Sequence, residues 1–456
     1  MKCYAGLLLN ALLIASLVTT ARAQTPSQLF AFGCDSQTGV CANGENPNSL
    51  IQSADGNFYG TTTTGGTGNA ARGTVFKITL SGQLTTLFTF VADPNGNYPN
   101  GWLPTSLVEG NDGFLYGTTD AGGANNVGLV FKLSKSGVFQ ILHNLCSSCG
   151  EGSGPSSLIL GRDGNFYGTS LGVLFRITPA GSFTVLHTFN SATEGPTGLG
   201  LVQASDGNFY GTTVGGGTLV TTLFRLTRAG VFTILHTLNY SDFTASRPIQ
   251  GVDGKLYGAT SRGIFVSSLS GADYQELLIP DSFIANQPIY QPSESNLWDA
   301  IFFDSSAPNG ELRVISTNAI VQQTIAFNGN NGASPNAAVL QGSDGKVLGV
   351  TYGGGSVSQG ETANGVVFTL DAGLTPPQPA IVDFTPNNGT AGTKVMLHGS
   401  HFIGATQVSF NGTSAAFRVL NTDNIRATVP AGATTGPITV TNPGGTAQSQ
   451  QSFTVH

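Results

Sequence analysis

The phrase Asp55-Gly56-Asn57-Phe58-Tyr59-Gly60-Thr61-Thr62 is repeated along this chain of 456 residues. Variant copies of the phrase begin at Asp112, Asp163, Asp206, Asp253 and Asp344, and a degenerate copy begins at Asn296. Successive copies start 43 to 57 residues apart. A period of this length marks a repeat array, and four short strands in each period predict a β-propeller.

One repeat divides into four predicted strands, at residues 49–52, 58–63, 73–79 and 84–90. Asp-Gly and Ser-Gly turns join them in pairs, because glycine adopts the positive φ of tight hairpin turns. The seventh repeat stops after its third strand, at residues 365–370, and residues 28–32 match the missing fourth strand. We therefore predict an all-β chain in which residues 24–370 form a seven-bladed β-propeller closed by an N-terminal strand.

Alternating strand direction sorts the connections onto two faces. The Asp-Gly and Ser-Gly turns share one face, here called the tight-turn face. Longer connections, such as residues 64–72, 91–103 and 190–198, share the opposite long-loop face. Because binding sites usually lie on long loops held by a rigid scaffold, we expect a site on the long-loop face.

A second folding unit follows the repeats. Residues 371–379 are rich in proline and predict a semi-rigid linker. Residues 380–456 show short alternating strands separated by turn residues, which predicts an immunoglobulin-like β-sandwich.

The N-terminus and the charge restrict location and partners. Residues 1–23 combine Lys2, an apolar run and Ala21-Arg22-Ala23, which predicts a cleaved signal peptide. A retained anchor is the weaker alternative, since the run is short and no later segment approaches the ~20 apolar residues of a membrane span. The formal net charge of −7 argues against a nucleic-acid partner. We expect an extracellular or cell-surface protein.

Four cysteines remain after the signal peptide. Cys34 and Cys41 form one local pair, and Cys146 and Cys149 form another. An exported chain meets an oxidising compartment, so two short-range disulfides are predicted. A redox C-x-x-C at Cys146 is the alternative, but no strand-helix context surrounds it.

The repeat phrase, with Gly-Thr-Val-Phe-Lys-Ile-Thr at residues 73–79 and Leu-Phe-Thr-Phe at residues 87–90, closely resembles the GloVer tandem repeat over residues 48–370. Residues 379–456 resemble an IPT/TIG domain through Gly392-Thr393, residues 399–402 and residues 442–445. The first resemblance implies an exported bacterial protein with one of several surface anchors, and it supplies no catalytic residues. Some relatives of the second bind DNA, a role that the expected export and the few basic residues argue against here.

Loop aromatics and carboxylates are the candidate binding residues. Exposed aromatic rings can stack on sugars, and packing between neighbouring blades would equally account for rings at these positions. The predicted ligand-binding set is Tyr98, Trp102, Glu151, Glu194 and Tyr240. We assign the carboxylates Glu45, Asp93, Glu109, Glu151, Glu194 and Asp242 to the long-loop face.

Two repeated residue types invite a metal or acid–base interpretation. His143, His187 and His236 occupy the position of Phe88 in the outermost strand, so we interpret them as packing residues. The repeated aspartates, of which Asp55 is the first, are predicted to cap their own turns rather than to bind calcium. No catalytic residue, metal site or cofactor is predicted.

These observations favour a secreted or cell-surface, non-enzymatic protein whose long-loop face binds a glycan or a protein. The alternative is a carbohydrate-active hydrolase or lyase that uses loop carboxylates. Such an enzyme requires two carboxylates facing each other across a pocket.

Overall fold

A computed structural model describes residues 24–456, except residues 216–219, 239–245, 280–287, 294, 303–306 and 338. The predicted signal peptide therefore lies outside the described residues. Strands make up the regular structure, and the described helical structure is one 3-10 turn at Ser147–Cys149. The all-β prediction is confirmed.

The described residues of the repeat region form 28 strands in chain order. The first half comprises β1 (Ser27–Asp35), β2 (Glu45–Gln52), β3 (Phe58–Thr64), β4 (Thr74–Ile78), β5 (Leu84–Thr89), β6 (Trp102–Glu109), β7 (Leu115–Ala121), β8 (Leu129–Leu133), β9 (Phe139–Asn144), β10 (Ser157–Leu160), β11 (Phe166–Ser170), β12 (Val173–Ile177), β13 (Phe183–Thr188) and β14 (Thr197–Gln203). The second half comprises β15 (Phe209–Val214), β16 (Thr221–Leu226), β17 (Phe232–Leu238), β18 (Ile249–Gln250), β19 (Leu256–Thr260), β20 (Gly263–Ser267), β21 (Gln275–Leu278), β22 (Leu297–Ile301), β23 (Glu311–Ile315), β24 (Val321–Ala326), β25 (Ala333–Pro335), β26 (Leu340–Gln341), β27 (Val347–Gly353) and β28 (Glu361–Leu370).

These strands form small antiparallel sheets, one for each repeat. Four consecutive strands make each of the sheets β2–β5, β6–β9, β10–β13, β14–β17 and β18–β21, and three make β22–β24. The last sheet contains β25 to β28 together with β1. β1 pairs with β28 from Ser27 opposite Thr369 to Asp35 opposite Glu361. The N-terminal strand therefore lies beside the last repeat, where the sequence places it.

The Tyr-Gly pair of the repeat has a packing reason. Gly60 pairs across the sheet with Phe76, and a Cβ on Gly60 would overlap the Phe76 ring and the carbonyl of Ser49. In five other repeats the equivalent phenylalanine ring covers the matching glycine, at Gly117, Gly168, Gly211, Gly258 and Gly349. A glycine, which has no side chain, lets each of these six sheets bury a phenylalanine ring at its centre.

Apolar clusters join each sheet to the next. One of them packs Val75 and Phe90 of the first repeat against Leu107 and Phe131 of the second. Another packs Leu348 and Val350 of the last sheet, with Phe32 of β1, against Phe58 and Phe76 of the first sheet. The last and first sheets are therefore in direct contact.

In six of the seven repeats, a side chain just before the tight turn ties neighbouring sheets together. The Gln203 carbonyl oxygen accepts a 2.9 Å hydrogen bond from the N–H of Arg162, in the tight turn of the preceding sheet. Equivalent bonds join Gln250 to Ser205, Gln291 to Val252, Gln341 to Ser293, Glu109 to Ala54 and Gln52 to Ser343. We call these bonds the inter-sheet latches. The third repeat has Leu160 at this position, which cannot accept such a bond.

The C-terminal unit is a two-sheet sandwich. Its strands are β29 (Ala380–Thr385), β30 (Asn388–Gly389), β31 (Lys394–Ser400), β32 (Gln407–Phe410), β33 (Thr413–Ser414), β34 (Phe417–Asn421), β35 (Asn424–Thr428), β36 (Gly436–Asn442) and β37 (Gly445–Val455). One sheet has the order β29-β31-β35-β34, and the other has the order β30-β37-β36-β32-β33. Val395, Phe410 and Val440 are fully buried between them.

The sandwich docks on the tight turns of the repeat region. Arg162 forms a 3.3 Å ion pair with Asp383, and the Asn421 amide donates to the carbonyl oxygen of Glu109 and to Oδ1 of Asn111. The predicted linker is also held, because the carbonyl of Thr375 accepts bonds from Ser293 and Gln341. The two units therefore touch on the tight-turn face.

Both predicted disulfides are present. Cys34 is joined to Cys41, and Cys146 is joined to Cys149. The first bridge connects the end of β1 to the segment that leads into β2, and Glu45 lies close to it. Because both sulfurs are in a disulfide, this Cys–Cys–Glu group offers no thiolate to a metal ion.

Candidate functional site

The repeated aspartates are structural residues of the tight turns. Asp55 Oδ1 accepts a bond from the N–H of Asn57, and its Oδ2 accepts a 2.7 Å bond from the Tyr59 hydroxyl. Burial and the bond to Asp55 raise the pKa of Tyr59. The Asp–Tyr pair recurs as Asp112–Tyr116, Asp163–Tyr167, Asp206–Tyr210 and Asp253–Tyr257. The turn-capping prediction is confirmed.

The outer-strand histidines pack against the next sheet, as predicted. The His143 ring stacks on Phe183 with centroids 4.3 Å apart, and the His187 ring stacks on Phe232 at 3.9 Å. His236 stacks on Tyr274 in the same way, at 3.7 Å. Each ring thus takes the place that Phe88 fills on Phe139 in the first repeat.

Glu151 and Glu194 of the predicted ligand-binding set brace two successive long loops. Glu151 Oε2 lies 2.8 Å from His143 Nε2 and accepts a bond from the N–H of Cys146. Glu194 Oε2 has the same relation to His187 and to the N–H of Asn190. Only 19% and 17% of these two glutamate side chains are exposed. Their carboxylates are therefore mostly engaged within the protein.

Glu109 is not on the long-loop face, and our assignment of it is wrong. Its carboxylate lies 2.6 Å from Lys135 Nζ and accepts a bond from the N–H of Ala54, both on the tight-turn face. Its place three residues before Asp112 matches that of Gln52 before Asp55, and this register is the sequence signal that identifies its true position.

The other described loop carboxylates also have local partners. Asp93 caps its own turn through the N–H groups of Asn95 and Asn97, and Glu45 lies 3.1 Å from the amide of Asn364. Asp242 lies outside the described residues. Among the carboxylates that the structure describes, none of this set is hydrogen-bonded to another.

Tyr98, Trp102 and Arg72 form a cluster on the long-loop face. The Arg72 guanidinium carbon lies 4.6 Å from the Trp102 ring centroid and 5.5 Å from that of Tyr98. The two rings are 5.8 Å apart, and the Tyr98 hydroxyl donates to the carbonyl of Ala70. Arg72 is exposed, while its backbone N–H donates to the carbonyl of Phe90. We call this group the Arg72 cluster.

The sequence analysis predicted Tyr98 and Trp102 as binding residues but did not identify Arg72. Tyr240 lies outside the described residues.

The Arg72 cluster presents groups suited to binding. A guanidinium held against two rings keeps most of its donors free for carboxylate or hydroxyl oxygens. No described carboxylate or histidine is hydrogen-bonded to the three side chains.

Family comparisons match both units of the chain. Residues 47–268 match the Gloeobacter/Verrucomicrobia repeat, and residues 379–455 match the IPT/TIG domain. The chain carries Gloeobacter/Verrucomicrobia repeats and an IPT/TIG domain. The resemblance to these two families is thus confirmed, and the IPT/TIG domain corresponds to the C-terminal sandwich. Comparison with curated proteins gives no match.

Solved structures share the fold of this repeat protein. Two are extracellular domains of proteins described as putative hybrid two-component systems from B. thetaiotaomicron, each with a TM-score of 0.50. Their sequences are 12% and 10% identical to this chain. Each match covers 95% of this chain but only 57% and 59% of the other, so the chain spans less than two thirds of their length. In the part of the chain that the structure describes, no helix has the length and apolarity to cross a membrane.

Proposed function

We propose that this chain is an exported, non-enzymatic binding protein that holds an extracellular glycan on its long-loop face. The observation that carries the proposal is the Arg72 guanidinium clamped against Trp102 and Tyr98. Aromatic faces stack on sugar rings, and the fixed guanidinium supplies donors to hydroxyl or carboxylate oxygens. Of the other predicted residues, Glu151 and Glu194 support neighbouring loops of this face, and Tyr240 stays a prediction.

The scaffold of this proposal is a closed seven-bladed β-propeller over residues 24–370, followed by a linker to residue 379 and the IPT/TIG domain. Two observations support closure. The Gln52 side chain accepts a hydrogen bond from the N–H of Ser343. This bond joins the first sheet to the last in the same way as the other latches join consecutive sheets. Phe32 of β1 is fully buried at that junction. A closed ring covers the two sheet faces that an open row of blades would expose at its ends, and it leaves only short, protected strand edges.

Export is supported by the signal-peptide pattern of residues 1–23 and by two disulfides, which persist in oxidising compartments. The fold is shared with extracellular domains of other bacterial proteins. We place the mature protein outside the cell or on its surface.

A non-enzymatic role fits the carboxylates better than hydrolysis does. Glu151, Glu194, Asp93 and Glu45 each have a partner other than a second carboxylate, and a retaining or inverting glycosidase needs two carboxylates facing one substrate bond. No described observation favours the hydrolase or lyase alternative.

A glycan array probed with the mature protein tests the proposal. We expect Trp102→Ala to weaken binding to the best glycan about tenfold, because the stacking surface and the support of Arg72 are lost. Phe114→Ala is the matched control, since Phe114 is an exposed ring with Lys132 4.2 Å from its centroid on the tight-turn face. Binding that survives Trp102→Ala, or reducing sugar released by the wild-type protein, would overturn the proposal.

A further inference from the structure

A cavity of about 720 Å3 lies along the inner strands of the repeat region. Its wall is formed by the first strands of successive sheets, including residues 48–52, 105–109 and 156–160. Its remaining lining comes from the IPT/TIG domain, at residues 398–400 and 421–424. The size falls within the ~300–1,000 Å3 range of small-molecule sites.

The IPT/TIG domain closes the cavity at the tight-turn end. Asn421 is buried, and its amide reaches the carbonyl of Glu109 and the side chain of Asn111. This contact lies beside the third sheet, where Leu160 leaves the tight turn at Asn111 without a latch from its neighbour. The domain therefore lies at the gap in the series of latches.

Arg247 lines this cavity, and none of the described acids forms an ion pair with it. It sits six residues before the turn aspartate of its repeat, where other repeats have Ser49, Ser106 and Ser157. Among the described residues its side chain forms no hydrogen bond or ion pair. Burial lowers its pKa, and no nearby acid offsets that effect.

The neighbouring sheet makes room for this arginine. The equivalent residue there is Gly200, and a Cβ on it would lie 3.2 Å from Arg247 Cδ and 3.0 Å from Ser157 Oγ. The side chains of Arg247 and Ser157 therefore both lie next to Gly200, and both residues line the cavity. Ser106 accepts a bond from the N–H of Leu158, so its own hydroxyl hydrogen is free to donate.

Two described acids, Glu109 and Asp423, line the cavity. Glu109 is paired with Lys135 at 2.6 Å. The Asp423 side chain is exposed to solvent, and desolvation by the surrounding protein raises its pKa to about 7 against the opposing charge of Arg162. Of the two described arginines that line the cavity, Arg162 is paired with Asp383, and Arg247 has no ion pair among the described residues.

We propose that the cavity binds a short acidic saccharide, with its carboxylate on Arg247 and its hydroxyls on the serines of the same level. A guanidinium forks onto a carboxylate through two bonds, and charge-assisted bonds of this kind are the strong ones. Serine hydroxyls donate to and accept from sugar hydroxyls. This site is separate from the Arg72 cluster on the outer surface of the long-loop face.

Calorimetric titration with trigalacturonate, and with the neutral galactose trimer as its matched control, tests this proposal on the full mature chain. We expect the acidic trimer to bind and the neutral trimer to bind at least about tenfold more weakly. Arg247→Met is expected to weaken trigalacturonate by at least about tenfold, and Arg247→Lys to restore part of the loss.

Three further variants distinguish binding in this cavity from binding elsewhere on the chain. Arg426→Met removes an equally charged but exposed arginine of the IPT/TIG domain and should leave binding unchanged. Trp102→Ala disables the Arg72 cluster and should also leave it unchanged, so the two proposals fail separately. Ser157→Ala, which loses one hydroxyl and no charge, should weaken binding a fewfold. Equal binding of the two trimers, or binding that Arg247→Met and Ser157→Ala do not alter, would overturn the proposal.

Discussion

The sixth repeat has charged residues where the other repeats pack a phenylalanine ring over a glycine. Asp299 stands opposite Arg313 across its sheet, at the positions of Gly60 and Phe76. Arg313 Nε also lies 2.5 Å from Oε1 of Glu311, and all three side chains are buried. Where every other repeat buries a ring over a glycine, this one buries an ionic group.

We expect this ionic group to be replaceable as a unit but not in part. Arg313→Phe alone leaves two buried acids without their cation and should cost about 3–5 kcal/mol of unfolding free energy. Restoring the first repeat's trio with Asp299→Gly, Glu311→Thr and Arg313→Phe should recover most of that loss. Denaturant titration of both variants measures it. A triple variant as unstable as the single one would contradict the assignment of these residues as one unit.

Asp299 should also make stability depend on pH. Burial raises its pKa to about 7, against the opposing charge of Arg313, and its Oδ1 has no partner in the described structure. The unfolded carboxyl releases its proton near pH 4, so the folded state binds one more proton between about pH 4 and 7. Its contribution is therefore present below about pH 4 and is lost as pH rises to about 7, by up to about 1.4 kcal/mol per pH unit. Comparing unfolding of the wild type with that of Asp299→Asn, which lacks this slope, isolates the effect. Parallel pH profiles would refute it.

At the scale of strands, the sequence predicts where the strands lie better than it predicts which side chains contact each other. The predicted strand at residues 84–90 is β5, and the spare N-terminal strand lies on β28. Hairpins are local, so turn residues and alternation suffice to find them. The His–Glu braces of the long loops were not predicted, because they depend on loop conformation as well as on spacing. The Asp299–Arg313 pair needed the cross-strand register, which a degenerate repeat obscures.

The latches give a test of ring closure at this scale. Gln52→Leu removes the bond from the first sheet to Ser343 of the last, and Leu160 shows that leucine occupies this position in another repeat. In a closed ring the loss should be about 1–3 kcal/mol, because a backbone N–H is left without its acceptor. Gln203→Leu breaks an interior latch to Arg162 and is the matched control. Chemical denaturation of both variants decides the matter. A near-zero effect of Gln52→Leu beside a clear effect of Gln203→Leu would mean an open array.

At the scale of the whole molecule, the two units are more closely connected than the sequence suggests. A proline-rich linker between two recognisable units favours independent modules. Instead the linker carbonyls of Thr375 and Pro377 accept bonds from the repeat region and the sandwich respectively. The contact rests on Asn421 and Arg162, single polar residues that no pattern in the sequence marks. Such contacts depend on three-dimensional placement, which the sequence pattern alone does not give.

Docking of the IPT/TIG domain should depend on Asn421 far more than on the ion pair beside it. Asn421→Asp keeps the oxygen that accepts from Asp423 and Asn424 but loses the donor to Glu109 and Asn111. A buried carboxylate against two acceptors should cost at least about 2 kcal/mol at the interface. Asp383→Asn breaks only the pair with Arg162, and because 42% of the Asp383 side chain is exposed, its loss should cost less than about 1 kcal/mol.

Hydrogen exchange of the tight turn at residues 109–113 measures whether the domain undocks. We expect faster exchange there in Asn421→Asp and little change in Asp383→Asn, whereas equal exchange in the two variants would show that this contact does not hold the domain in place.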